Sequence, residues 1–155
     1  MDVKILQAQI AEGCEAAINA SRAQAARLFQ PLAEAVFQEH PTLVSFGWEM
    51  FRRYNDETYA YYVEIEPEQI LCNGISSSQI EDDADESNES DAERNAKQKR
   101  WDKQWSGVTK QVSSVLGVLK RTQYHQLFGE GVAVSFSREG ATFTEIENED
   151  GDYGY

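Results

Sequence analysis

Few residues in this chain are of types that do covalent or acid–base chemistry, and their spacing speaks against it. His40 and His125 are the two histidines, and neither has beside it the Asp, Glu, Cys or His that a zinc site or a nucleophile–base pair needs. His40 stands before Pro41 at the end of a helical pattern and His125 follows Tyr124, so both read as structural. Cys14 and Cys72 are too few for a disulfide framework, lack metal-ligand spacing, and read as reduced thiols. Gly129-Glu130-Gly131 stands after a helical pattern and before a strand pattern, the reverse of the order that aims backbone amides at a phosphate. Asn148-Glu149-Asp150-Gly151-Asp152 lacks the further ligands of a calcium loop. The expectation is a protein with no catalytic residue, no metal site and no cofactor.

The chemistry that stands out is carboxylate density. Glu81, Asp82, Asp83, Asp85, Glu86, Glu89, Asp91 and Glu93 fall within thirteen residues that contain no base, and Glu145, Glu147, Glu149, Asp150 and Asp152 crowd the last eleven. These two stretches account for the whole net charge of −13, since the other 14 acidic residues balance the 14 basic ones. The balance is uneven along the chain: residues 1–80 carry eleven acids and five bases, residues 94–144 three acids and nine bases. A catalytic carboxylate pair must be held in a partly dry site, which a run with no large apolar residue does not offer. The segment 76–93 therefore reads as an acidic flexible linker inside a single domain spanning 1–155, with 148–155 as an acidic tail.

The elements around it follow from periodicity. Val3, Leu6, Ile10, Cys14, Ala17, Ser21, Ala25, Leu28, Leu32 and Val36 recur at steps of three and four, predicting a helix over about 2–38 with one packed face. Pro31 predicts a kink or short break near Gln30, and Ser21 with Gln24 would cap a second helix starting there. Val44, Phe46, Trp48 and Met50, then Tyr59, Tyr61, Val63 and Ile65, alternate as two strands of a hairpin joined by Asn55-Asp56-Glu57. Ile70 to Cys72 forms a short third strand. Trp101, Trp105, Val108, Val112, Val115 and Leu119 line one side of a basic helix over about 92–124, placing Lys99, Lys103 and Lys110 on the other. Val132 to Ser137 and Ala141 to Glu147 form a second hairpin. The fold class is α+β: two layers, an antiparallel sheet of four or five strands with two long helices on one face, in the order α-β-β-linker-α-β-β.

Function follows from surface. Two aromatic residues of the first hairpin, Phe51 and Tyr62, fall opposite the expected core side and suit an interface. A dense carboxylate surface can occupy a basic groove that otherwise takes nucleic acid. The expected function is a small acidic, non-enzymatic binding protein that inhibits or antagonises a basic, nucleic-acid-handling partner. Its partner-binding residues are Glu81, Asp82, Asp83, Asp85, Glu86, Glu89, Asp91, Glu147, Glu149, Asp150, Asp152, Phe51 and Tyr62. In size and charge the chain resembles the small acidic anti-defence factors of phages and mobile elements, which act as nucleic-acid mimics. The alternative is an acidic partner chaperone or toxin-neutralising immunity protein, a homodimer through its helices. Direct nucleic-acid binding is disfavoured by the net charge. No apolar run reaches membrane-spanning length and residues 1–13 lack the pattern of a secretory signal, so the expected location is the cytoplasm, that of the host if phage-encoded.

Overall fold

The computed structural model describes residues 2–50, 53–55, 57, 60–62, 65, 67–88, 90–129 and 131–146. Within them helix and strand are mixed, and long helices accompany a four-stranded antiparallel sheet. The first helix, α1 (Val3–Glu39), starts at Asp2, whose carboxylate accepts from the Lys4 amide, and ends at His40. It runs through Pro31 as one element, and no second helix starts at Ser21, so the cap expected there does not form. The C-terminal half buries Ala25, Phe29, Ala33, Val36 and Phe37. That face differs from the single stripe expected along the whole helix: Val36 is fully buried, whereas Leu28 is 59% exposed and Ile10 64%.

Strand β1 (Ser45–Met50) is the centre of the sheet, whose order is β4-β1-β5-β6, with β4 (Leu71–Cys72), β5 (Val132–Ser137) and β6 (Gly140–Glu145). In register, Phe46 lies opposite Phe136, Trp48 opposite Val134 and Met50 opposite Val132, all six buried, because alternate residues of both strands turn to one face. Two short strands, β2 (Arg53–Asn55) and β3 (Ala60–Tyr62), pair in a separate two-stranded sheet. The first aromatic run thus divides. Its leading part joins β5, with Met50 opposite Val132 and Ser45 opposite Ser137, and only its end forms the expected hairpin. Ile70 to Cys72 does supply a short strand, β4.

An aromatic cluster fills the space between α1 and the sheet. Phe29 meets Trp48, Phe128 and Phe136, with ring centroids 5.4 Å apart for Phe29 and Phe128 in an edge-on contact, and Phe46 stacks on Phe136 at 5.3 Å. Gly47, paired across from Ser135, has no room for a side chain: a Cβ there would run into the Val134 carbonyl.

Residues 76–93 depart most from expectation. They are helical over most of their length, as α2 (Ser77–Ser87) and the start of α3 (Asp91–Leu116). The cause is capping. Ser76 accepts from the Gln79 amide, Ser90 from the Glu93 amide, and Asn88 takes the left-handed conformation that closes α2. The basic helix also divides, into α3 and α4 (Arg121–Phe128), because the chain turns at Gly117 and the Lys120 amide is capped by the Gln123 side chain. Among the described residues the order is therefore a helix, three strands, a 3-10 turn, a short strand, three helices and two strands, in place of α-β-β-linker-α-β-β.

Candidate functional site: an acidic helix and its support

Helix α2 lies against α3 and the 3-10 turn Pro67–Gln69. Ala84 is buried, and Ile80 packs against the core. Glu81, Asp82, Asp83 and Glu86 are exposed on the remaining sides, and Asp85 belongs to the same helix. Asp82 and Glu86 stand about one turn apart, roughly 6 Å along the axis. Like charges at that spacing weaken an isolated helix, so the helix depends on its caps and its packing. Asp91 and Glu93 continue the acidic surface into the first turn of α3, where negative charge suits the helix dipole. Asp91 also pairs with Arg94 at 2.9 Å.

The other expected site residues are spread. Tyr62 is placed by its backbone, opposite Arg53 in the β2–β3 pair. Phe51, Glu89, Glu147, Glu149, Asp150 and Asp152 lie outside the described residues. The structure therefore brings together Glu81, Asp82, Asp83, Asp85 and Glu86 on α2 with Asp91 at the start of α3. Glu93 belongs to the charge of the segment but not to the expected binding residues, and the pattern Ser90-x-x-Glu93 is the signal in the sequence that could place it at a helix start.

The support behind α2 is specific. The Trp101 indole on α3 donates to the Ile75 carbonyl just before α2 at 3.2 Å. Trp101, Trp105, Val108 and Val112 are buried in one stripe, and Lys99, Lys103 and Lys110 are exposed, as the periodicity predicts, but at the end of the helix Leu116 is the buried residue and the expected Val115 and Leu119 are half-buried. Gly107 lets α3 pass close to His40, whose ring would lie 3.0 Å from a Cβ there. His40 Nε2 is 3.3 Å from Gln111 Oε1, and Gln111 Nε2 donates to Glu39 Oε2 at 2.8 Å. Since an amide oxygen only accepts, His40 must hold its proton on Nε2 in this bond. His40 thus ties the end of α1 to α3.

Two clefts and two thiols also lie among the described residues. A cleft of about 480 Å³ lies between α1 and the β5–β6 turn. Arg138, at its rim, donates from one guanidinium nitrogen to the Phe37, Pro41 and Leu43 carbonyls and lies 5.1 Å over the Phe37 ring, which makes it a clamp on the end of α1. A smaller cleft of about 170 Å³ separates Ala17 to Arg22 from Gln126 to Gly129. Burial pushes the Cys72 thiol up to about 12, so it stays protonated at neutral pH, and Cys14 is exposed. Among the described residues no three His, Cys, Asp or Glu side chains could hold a metal ion, and no helix is long and apolar enough to cross a membrane. No protein-family model matches the chain, and searches of the curated proteins and of the solved structures return no match.

Proposed function

We propose that this protein is a non-enzymatic binding protein that occupies a basic surface on a nucleic-acid-handling partner and antagonises it. One observation carries the reading: Glu81, Asp82, Asp83 and Glu86 stand in solvent on a helix whose Ala84 is buried and which is capped at Ser76 and Asn88. Carboxylates on a packed helix keep their mutual spacing, so less ordering cost falls on binding than for the same residues on a coil. Their field raises the rate of encounter with a cationic groove. The tail carboxylates Glu147, Glu149, Asp150 and Asp152 extend the same attraction, and Phe51 and Tyr62 supply apolar contact. The body that presents them reads as two layers, α1 and α3 covering one face of the sheet.

Calorimetry and association kinetics against a panel of nucleases and other nucleic-acid-binding enzymes test this. For a bound partner, changing Glu81, Asp82, Asp83 and Glu86 together to their amides is expected to slow association by roughly ten- to a hundredfold at low salt and to flatten the salt dependence. Association unchanged by those four substitutions sinks the mimicry. A turnover in a broad substrate screen that is lost on His40→Ala or His125→Ala would make the protein an enzyme instead.

A second reading, an acidic partner chaperone or immunity protein, is favoured by the exposed apolar residues of α1. A toxin or effector gene adjacent to this one would support it, whereas a phage accessory region supports the antagonist.

A further inference from the structure

The first half of α1 has no core. Every residue from Asp2 to Ala20 is exposed, over roughly 28 Å of helix, yet Val3, Leu6, Ile10, Cys14 and Ala17 form an apolar stripe along it. At 100° per residue this stripe is centred roughly a third of a turn from the face that buries Phe29 and Val36, so it does not continue the core face. Soluble proteins seldom leave such a strip bare.

We propose that the stripe is covered by the same stripe of a second copy, running antiparallel and centred on Ile10. Two features select this occupant. The first is symmetry of position and size. Residues 3, 6, 10, 14 and 17 are symmetric about 10, so an antiparallel pair sets Val3 on Ala17, Leu6 on Cys14 and Ile10 on Ile10, the larger side chains against the smaller ones. A two-fold interface requires such reciprocity, with residue i meeting j and j meeting i.

The second is charge. Residues 2–20 hold only Asp2, Lys4, Glu12 and Glu15, so nearly all of the −13 lies elsewhere. A parallel pair would lay the two acidic bodies side by side, and would set Lys4 level with Lys4, Glu12 with Glu12 and Glu15 with Glu15. The antiparallel pair points the bodies to opposite ends, separated by more than the roughly 8–10 Å over which salt screens charge, and sets Lys4 level with Ala16 of the second copy, one residue from its Glu15. It also brings Asp2 of the second copy to the level of the small cleft beside α4. There Arg22 is 6.0 Å from the Phe143 ring, and its Nε has no hydrogen-bond partner. Sliding the register to include Leu28 would instead set Lys4 level with Arg27 and bring the two Glu15 side chains together, so the shorter overlap is the one that charge permits.

The interface is independent of the acidic helix, so it stands or falls apart from the partner proposed above. Sedimentation equilibrium of the whole protein near 0.15 M salt is expected to give twice the 17.5 kDa chain mass at about 100 μM. Ile10→Asp should weaken the dimer by roughly a hundredfold or more while leaving the helical circular dichroism in place, and Leu28→Asp should leave the dimer intact. A monomer at about 100 μM, or a dimer indifferent to Ile10→Asp, overturns the proposal. Orientation is read by oxidation. Leu6→Cys should cross-link to native Cys14 of the other copy, and the cross-link should vanish when Cys14→Ser is added. The native chain, whose two Cys14 residues would lie about 12 Å apart along the axis, should stay uncross-linked. A ready Cys14–Cys14 disulfide in the native chain, or no cross-link in Leu6→Cys, overturns the antiparallel register. Retention of the dimer's mass only when another protein co-purifies would assign the stripe to that protein instead.

Discussion

The two halves of α1 are written in nearly the same residues and meet opposite surroundings. Both are rich in alanine with apolar residues at steps of three and four, but only the second half holds phenylalanines, Phe29 and Phe37, whose rings reach Trp48, Phe46 and Phe136 on the sheet. Spacing therefore marks a face that wants covering. Whether the chain covers it depends on what the fold sets opposite.

The sharpest way to break this contrast is to empty one half. Phe29→Ala should cost about 3–5 kcal/mol in chemical denaturation, whereas Ile10→Ala at concentrations dilute enough to keep the chain monomeric should change stability by about 0.5 kcal/mol or less. Equal losses would mean that the first half packs on the body. The thiols report the same difference without mutation. With its pKa raised from 9.0 to about 12, Cys72 presents roughly a thousandth of the thiolate of an ordinary cysteine, so in the dilute monomer a thiol reagent at pH 8 should take up one equivalent fast, at Cys14, and the second only on unfolding. Between pH 9 and 12 the unfolded chain gives up the Cys72 proton and the folded chain keeps it. Stability should therefore fall as pH rises through that window, and by less in a Cys72→Val variant. A smaller effect is expected where the halves join. Pro31→Ala restores a donor for the Arg27 carbonyl and should raise stability by about 1–3 kcal/mol. The smallest is Gly13→Ala, which meets no atom within 4 Å and should steady the bare half by about 0.5–1 kcal/mol, seen as a gain in helical signal.

How legible the molecule was in its sequence varied with the kind of signal. The extent of α1, the β5–β6 hairpin and the buried stripe of α3 follow from period alone, because each is a regular element with a one-sided core. The pairing of β1 with β5 does not, since either edge of a strand can bond to a neighbour and alternation names the buried face without naming the partner strand. Helix α2 was hidden by composition. Eight carboxylates in thirteen residues argue for solvated coil, but Ser76 and Ser90 punctuate the run as two capped helix starts with Asn88 as the stop between them, and Ile80 with Ala84 supplies an anchoring face that counting charges overlooks. The break between α3 and α4 was masked in the same way, because Leu119 keeps the apolar period across the turn at Gly117. The exposure of Glu81 to Asp83 and of Glu86 was legible as a matter of chemistry, whereas their placement on one packed helix required the caps.

The tie between Glu39, His40 and Gln111 gives α1 a mechanical property. The helix is held at its C-terminal end by that tie and by the Arg138 clamp, and its other end stands roughly 55 Å away. It is a lever with its pivot in the core. A change of one degree in the way its second half rests on the sheet displaces Val3 by roughly 1 Å, so a shift too small to disturb the packing of Phe37 is magnified at the tip.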